Sequence, residues 1–225
     1  MYGPFPRQSM ETPETLRTKT LRTKGNDVQT AVALGRSEPD GIAHIRDSYA
    51  AFDATRGARS AGLLRRQLFG YHDLLVHIRD FDGEAPGPDL ESPLDAEATL
   101  FYQWDGRPAA AGEVLHSTVI VNRMDPAVIP EVSALFAELD ATDFPHRMGT
   151  RRRRLFSLDG VYFHLQDFAE TDGYRLIDRA WKEADPRFIK ICRELEPLVS
   201  VYDPATWRST ADQVATRLYR WETPA

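Results

Sequence analysis

The sequence predicts an α+β fold: two ferredoxin-like repeats with antiparallel sheets, fused as an intramolecular pseudo-dimer of the dimeric α/β barrel type. Three observations carry this. The first is an internal repeat, in which residues 28–81 lie on residues 115–168 without a gap, at a constant offset of 87 (115 − 28). Matches include Val32/Val119, Arg36/Arg123, Pro39/Pro126, Asp53-Ala54-Thr55/Asp140-Ala141-Thr142, Arg65-Arg66/Arg152-Arg153, Leu68-Phe69/Leu155-Phe156, His77/His164 and Asp80-Phe81/Asp167-Phe168. Two copies are too few for a solenoid, which needs about three to bury its faces. The second is a set of strands with little polar surface, as in Val119-Ile120-Val121, which a sheet covered on both faces requires. The third is the β-α-β-β-α-β order of the second copy.

Taken along the chain, residues 1–27 are rich in Pro, Thr, Arg and Lys without apolar periodicity, which predicts a disordered arm. Each copy then opens with a strand and a proline, Pro39 or Pro126, suited to a helix start. In the second copy Val128, Val132, Leu135, Phe136 and Leu139 follow at helical spacing, with Pro130 in the first turn. A strand pair around Asp159-Gly160 is a tight-hairpin signal; the first copy has the weaker Tyr71-His72-Asp73. Tyr174, Ile177, Trp181, Ala184, Phe188, Ile191 and Leu195 form an apolar helical stripe, broken into two helices by Asp185-Pro186. The first copy replaces these with a Pro-, Gly- and Asp-rich loop over residues 82–95. Both copies close with an aromatic strand, at residues 100–104 and 218–221. The expected organisation is an arm (1–27), a degenerate repeat lacking its second helix (28–105), a linker (106–114) and a complete repeat (115–225).

With 28 Lys+Arg against 34 Asp+Glu the chain is mildly acidic, which argues against nucleic acid as the main partner. One cysteine, Cys192, permits no internal disulfide and fits a reducing cytoplasm. No run approaches a membrane span or a secretory core, so a cytoplasmic protein is expected. There is no glycine-rich phosphate loop, nucleophile elbow or Cys/His metal spacing. No cofactor and no metal are expected.

The repeat fixes one constellation twice: Asp53, Arg66 and His77, then Asp140, Arg153 and His164. A carboxylate, a guanidinium and an imidazole suit proton removal beside a carbonyl, stabilisation of the enolate, and protonation of a leaving hydroxyl. A structural reading stands beside it: Asp140 could end its helix, Arg153 pair with it, and His164 be satisfied in the core. In the run Arg151–Arg154, alternation places Arg151 and Arg153 on one face and Arg152 and Arg154 on the other. One face is expected to reach a pocket or carboxylate and the other to be solvated. Phe156, Tyr162, Trp181, Phe188, Trp207 and Tyr219 could line a cavity for a flat polycyclic ligand, or simply be core.

These residues resemble the tetracenomycin-type aromatic polyketide cyclase family. The resemblance rests on Arg123-Met124-Asp125-Pro126, on Phe136-Ala137-Glu138-Leu139-Asp140-Ala141-Thr142, and on Gly149-Thr150-Arg151-Arg152-Arg153-Arg154-Leu155-Phe156. It extends to Tyr162-Phe163-His164-Leu165, Asp203-Pro204-Ala205-Thr206-Trp207 and Tyr219-Arg220-Trp221. It covers residues 115–221, and more weakly 28–104. It implies cofactor-free, ferredoxin-like proteins that assemble as dimers and guide intramolecular aldol condensation and dehydration of polyketide intermediates. It places Asp140, Arg153 and His164 at positions implicated in the site. One departure stands out: where the family often has histidine before that aspartate, this chain has Leu139, and Phe52 in the first copy. His164 or Tyr162 then remains as proton donor.

The expected function is cyclisation of an aromatic polyketide intermediate. Asp140, Arg153, His164 and Tyr162 would be catalytic, and Phe156, Trp181, Phe188 and Trp207 would contact substrate. Asp53, Arg66 and His77 would be diverged equivalents. Expected partners are the intermediate itself and, less directly, an acyl carrier protein or other cyclases of the pathway; a homodimer is left open. Two alternatives stand: a cofactor-free monooxygenase on a polyketide intermediate, and a non-catalytic partner of a synthase or cyclase complex.

Overall fold

The computed structural model describes residues 28–37, 39–55, 62–83, 96–110 and 113–223. The expected arm, and residues 84–95 of the loop expected in place of a second helix, lie outside the described residues. In chain order the elements are β1 (Val28–Arg36), α1 (Pro39–Thr55), β2 (Leu63–Tyr71), β3 (Leu74–Asp82), β4 (Ala96–Glu97) and β5 (Thr99–Asp105). There follow β6 (His116–Met124), α2 (Ile129–Asp140), α3 (Phe144–Met148), β7 (Thr150–Leu158) and β8 (Val161–Phe168). The chain ends with α4 (Gly173–Glu183), α5 (Pro186–Leu195), β9 (Val199–Val201) and β10 (Thr216–Glu222).

Local signals account for most boundaries. At the β7–β8 hairpin Asp159 and Gly160 take φ of 49° and 74°, the mirror-type turn that suits strand twist. In the first copy His72 takes φ of 51°, so the weaker turn sequence closes the same hairpin. Ala184, at φ 50°, ends α4, and the Asp185 carboxylate accepts from the Arg187 amide at 2.9 Å to start α5. The short α3 was not expected. It ends at Gly149 (φ 91°), a left-handed cap that glycine adopts at no steric cost.

Two five-stranded antiparallel sheets form, in the orders β10-β2-β3-β1-β4 and β5-β7-β8-β6-β9. They stack face to face as the repeat predicts. The shared core holds Val32, Phe69, Val76 and Ile78 of one half against Val119, Phe156, Phe163 and Leu165 of the other. The outer face of the first sheet is covered by α1, over Ala33, Leu68 and Leu75. That of the second is covered by α2, α3, α4 and α5.

The closing strands depart from the expectation that each copy completes its own sheet. β5 pairs with β7 of the second half and β10 with β2 of the first. Strand alternation marks a strand but does not name its neighbour. The exchange is symmetric: Tyr102 opposes Leu155 and Tyr219 opposes Leu68, each beside an equivalent bulge. Arg154 anchors β5, donating to the Trp104 carbonyl at 2.9 Å and to both Asp105 oxygens at 2.7 and 2.9 Å.

The arginine run also departs from expectation, because the face expected to be solvated is buried between the sheets. Arg152 and its repeat partner Arg65 form a four-membered ionic cluster with Asp80 and Asp167 at 2.6–2.9 Å. Thr30 donates to Asp80 and Ser117 to Asp167. Burial alone would raise both carboxyls, but the two guanidiniums hold them below the usual range. Arg151 falls at the bulge between Thr150 and Arg152 and pairs with Glu113.

Candidate active site

Alternation on β7 and β8 sends Arg153, Leu155, Tyr162, His164 and Gln166 toward the helices, while Phe156, Phe163 and Leu165 face the sheet–sheet core. Between the second sheet and α2, α4 and α5 lies a cavity of about 710 Å³. This is within the range of small-molecule sites. Arg153, Tyr162, His164, Trp181, Phe188 and Trp207 line it. Phe156 does not; it is buried in the inter-sheet core, opposite in phase to Arg153, so its assignment to substrate is corrected. Trp181 and Trp207 keep 38% and 43% of their surface exposed and mark the mouth. Trp181 meets Phe188 edge-on at 4.9 Å, and Phe144 stacks on Phe188 at 5.7 Å.

At the floor, Arg153 is clamped. Its Nε donates to both oxygens of Asp140 at 3.2 and 2.9 Å, and its Nη1 donates to Nε2 of His164 at 2.6 Å. The Phe136 ring lies 4.8 Å from the guanidinium carbon and meets His164 edge-on at 5.0 Å. Asp140 itself does not line the cavity; it is held from behind by the Tyr102 hydroxyl at 2.9 Å. Burial and then the Arg153 charge push His164 well below the ordinary histidine range, so the ring is neutral. With Nε2 accepting, its proton sits on Nδ1. Nη2 of Arg153, the Tyr162 hydroxyl and Oδ1 of Asn122 are buried without a hydrogen-bond partner among the described residues, and all three residues line the cavity. Burial raises the Tyr162 hydroxyl, offset only in part by Arg153, so it keeps its proton. Leu139, where the resemblance expects histidine, also lines the cavity.

The first half builds the same constellation in closed form. Arg66 Nε donates to Asp53 at 3.2 Å and its Nη1 to His77 Nε2 at 3.0 Å. Tyr49 bonds His77 Nδ1 at 3.1 Å, and Tyr219 returns from β10 to Asp53 at 3.1 Å. Arg66 and His77 are 2% and 0% exposed. Tyr219, expected as a possible cavity aromatic, instead bonds Asp53 in the first half, and sequence reasoning missed Tyr102, whose position follows from the same strand exchange, and Asn122. The last was legible, since it shares the face of Ile120 two residues earlier. Among the described residues no group of three His, Cys, Asp or Glu is placed to hold a metal.

The family model described as polyketide synthesis cyclase matches residues 29–92 and 116–222, in two segments that follow the two halves. The chain belongs to the polyketide synthesis cyclase family. An uncharacterized protein of Streptomyces coelicolor is 45% identical over 113 residues, 49% of this chain and 99% of its own length. The tetracenomycin F2 cyclase of Streptomyces glaucescens is 32% identical over 110 residues, 48% of this chain and 96% of its own. Each such relative is thus matched almost whole by about half of this cyclase-family chain. An anthrone oxidase-like protein of known structure covers 90% of the chain at 9% identity, with 95% of its own length and a TM-score of 0.52. That likeness shows the ferredoxin-type fold alone. Among the described residues no helix is long and apolar enough to cross a membrane.

Proposed function

We propose that the second half is an aromatic polyketide cyclase, guiding an intramolecular aldol condensation and dehydration of a polyketide intermediate. The observation that carries this is Nη2 of Arg153: a buried cationic donor with no partner among the described residues, on a side chain that lines a largely apolar cavity. A carbonyl oxygen placed there is polarised, and the negative charge that develops on it meets a fixed donor already stripped of water. One such donor is typically worth about 2.7–4 kcal/mol in the transition state. The carbon between two substrate carbonyls loses a proton and attacks the polarised carbonyl carbon. The new alkoxide oxygen takes a proton, and loss of that hydroxyl with a neighbouring hydrogen releases water. No oxidant or reductant enters the balance.

The residues divide by reach. Arg153, His164 and Tyr162 contact the cavity, whereas Asp140 and Tyr102 act by holding Arg153. Neutral His164 would offer its Nδ1 proton as a hydrogen bond to the departing hydroxyl and would not act as an imidazolium acid. Folding a flexible chain into register can supply ~7–11 kcal/mol, so the missing histidine at Leu139 need not abolish the reaction. The substrate is then an intermediate of an aromatic polyketide pathway, delivered free or from a carrier protein.

The test compares product ratios from reactive polyketide intermediates with wild type, Arg153→Met and no protein, under air and under nitrogen. One ring pattern enriched by wild type, lost in Arg153→Met and indifferent to oxygen is expected. A wild-type ratio equal to the protein-free ratio would overturn the cyclase reading. Oxygen-dependent product would replace it with the monooxygenase.

A further inference from the structure

We propose that Asn122 and Tyr162 form a reader for an oxygenated ring edge. The pair would select ligands carrying a hydroxyl and a second oxygen on alternate carbons over bare polycycles. The inference rests on the cavity reading above and adds to it the residues that set specificity.

Three observations support it. First, Asn122 on β6 and Tyr162 on β8 are direct cross-strand partners, which places their Cβ atoms about 4.5–5.5 Å apart on one face. Both line the cavity. Second, both are more than nine-tenths buried, and Oδ1 of Asn122 and the Tyr162 hydroxyl lack a partner among the described residues. A polar group left unpaired in a core normally costs stability, so two on cross-strand neighbours that both line the cavity suit a ligand that pairs them.

Third, the repeat supplies an internal control. Subtracting 87 turns Arg153, Asp140 and His164 into Arg66, Asp53 and His77, which are kept in the closed half. The same subtraction turns Asn122 into Gly35 and Tyr162 into Leu75, and Leu75 is fully buried in an apolar cluster. The Asp-Arg-His trio therefore persists in a half where Arg66 and His77 are 2% and 0% exposed. The polar pair belongs to the copy that holds the cavity described above.

The chemistry of the pair defines the ligand. Tyr162 keeps its proton and donates to a ketone or phenolate oxygen. The Asn122 amide presents an acceptor for a phenolic hydroxyl. One donor beside one acceptor matches the alternating ketone and hydroxyl oxygens of a poly-β-ketone edge. Along the strand the pair sits one rung, about 6.8 Å, from His164, where the Arg153 guanidinium also ends. A ligand held by its oxygenated edge is thereby registered against the reacting carbonyl.

The experiment measures equilibrium binding of 1,3-dihydroxyanthraquinone and unsubstituted anthraquinone to the full chain and to Asn122→Leu and Tyr162→Phe. Wild type should prefer the dihydroxy probe at least tenfold. Each variant should lose about five- to tenfold for that probe alone, the worth of one hydrogen bond. Tyr162→Phe also deletes an unpaired buried hydroxyl, so its ligand-free melting temperature should hold or rise, opposite to a structural tyrosine. Should Asn122→Leu fail to fold, Asn122→Thr takes its place. Equal weakening of both probes, no change in either, or no binding of either by wild type would overturn the inference. Preferential binding without turnover would leave it standing and count against the cyclase reading alone.

Discussion

The hydroxyl of Tyr102 donates a 2.9 Å hydrogen bond to Oδ2 of Asp140, so a residue of the first half holds the carboxylate that aims Arg153 in the second. Tyr219 makes the reciprocal bond to Asp53. Each constellation is completed by the other half's last strand. The fusion therefore does more than bury two sheets: it fixes the strand that backs the site.

Tyr102→Phe should consequently slow cyclisation while leaving the cavity and the fold in place. The lost bond goes to a charged acceptor and is worth about 1.5–3 kcal/mol. If most of that appears in how Arg153 is aimed, kcat falls roughly 10- to 100-fold with KM little changed. Steady-state kinetics and a melt decide it. A loss confined to stability would make Tyr102 merely structural.

What the sequence disclosed was local. The hairpin at Asp159-Gly160, helix α2 and the break at Asp185-Pro186 each rest on residues within a few positions of one another, where dihedral preference and periodicity act, and the repeat was read from residue identity alone. What escaped was non-local. Arg65 with Asp80 and Arg152 with Asp167 were visible as repeat matches, but charged residues on strands read as solvated until a facing sheet is known. The strand exchange escaped because alternation is blind to partner choice. Phe156 was a different failure: the period-2 rule already placed it opposite Arg153 in phase.

Arg66→Met and Arg153→Met separate retention from function. Arg66 is sealed by Asp53, His77 and the Tyr49 ring at 5.1 Å, and its loss strands a buried carboxylate. It should cost about 3–5 kcal/mol of stability and leave turnover per folded molecule near wild type. Arg153→Met should cost similar stability and also abolish the product bias. Equal catalytic losses from the two would refute the division of labour between the halves.

Acid should destabilise the protein earlier than its carboxylates alone require. Burial and then the neighbouring arginines hold His77 and His164 well below the ordinary value of about 6.5. As pH falls, the unfolded chain takes up these protons while the folded one does not. Stability is full above pH ~6.5 and declines below it. Two such groups cost about 2.7 kcal/mol between pH 7.5 and 5.5. Asp80 and Asp167, depressed in the fold, add a further loss below about pH 4. Urea midpoints across this range test it, and a flat profile down to pH 5 would contradict a neutral buried pair.

The ionic cluster predicts an asymmetry between single and collective substitution. Asp80→Asn leaves two guanidiniums facing one carboxylate between the sheets and should cost about 3–5 kcal/mol. Replacing Arg65, Arg152, Asp80 and Asp167 together by Met and Leu removes the desolvated charges as well as their attraction. That variant should recover most of the loss in chemical denaturation. A quadruple variant weaker than Asp80→Asn would mean the cluster contributes net stability.

The strand exchange determines what the second half should do alone. A fragment of residues 113–225 lacks β5, so β7 has an open edge and Phe156, Phe163 and Leu165 lose their facing sheet. Exposed edges and apolar faces of this kind drive self-pairing. β10 can no longer pair with β2, and it carries Tyr219 at the position equivalent to Tyr102, opposite the equivalent leucine beside the same bulge. The fragment should therefore form a twofold dimer in which each β10 crosses to the partner's β7 and Tyr219 bonds the partner's Asp140. Light scattering should give twice the fragment mass, and Tyr219→Phe, of stability consequence only in the full chain, should acquire the catalytic defect of Tyr102→Phe. A monomeric fragment with a cooperative melt would show that neither the sheet stacking nor the crossed strand is needed to hold the second half together.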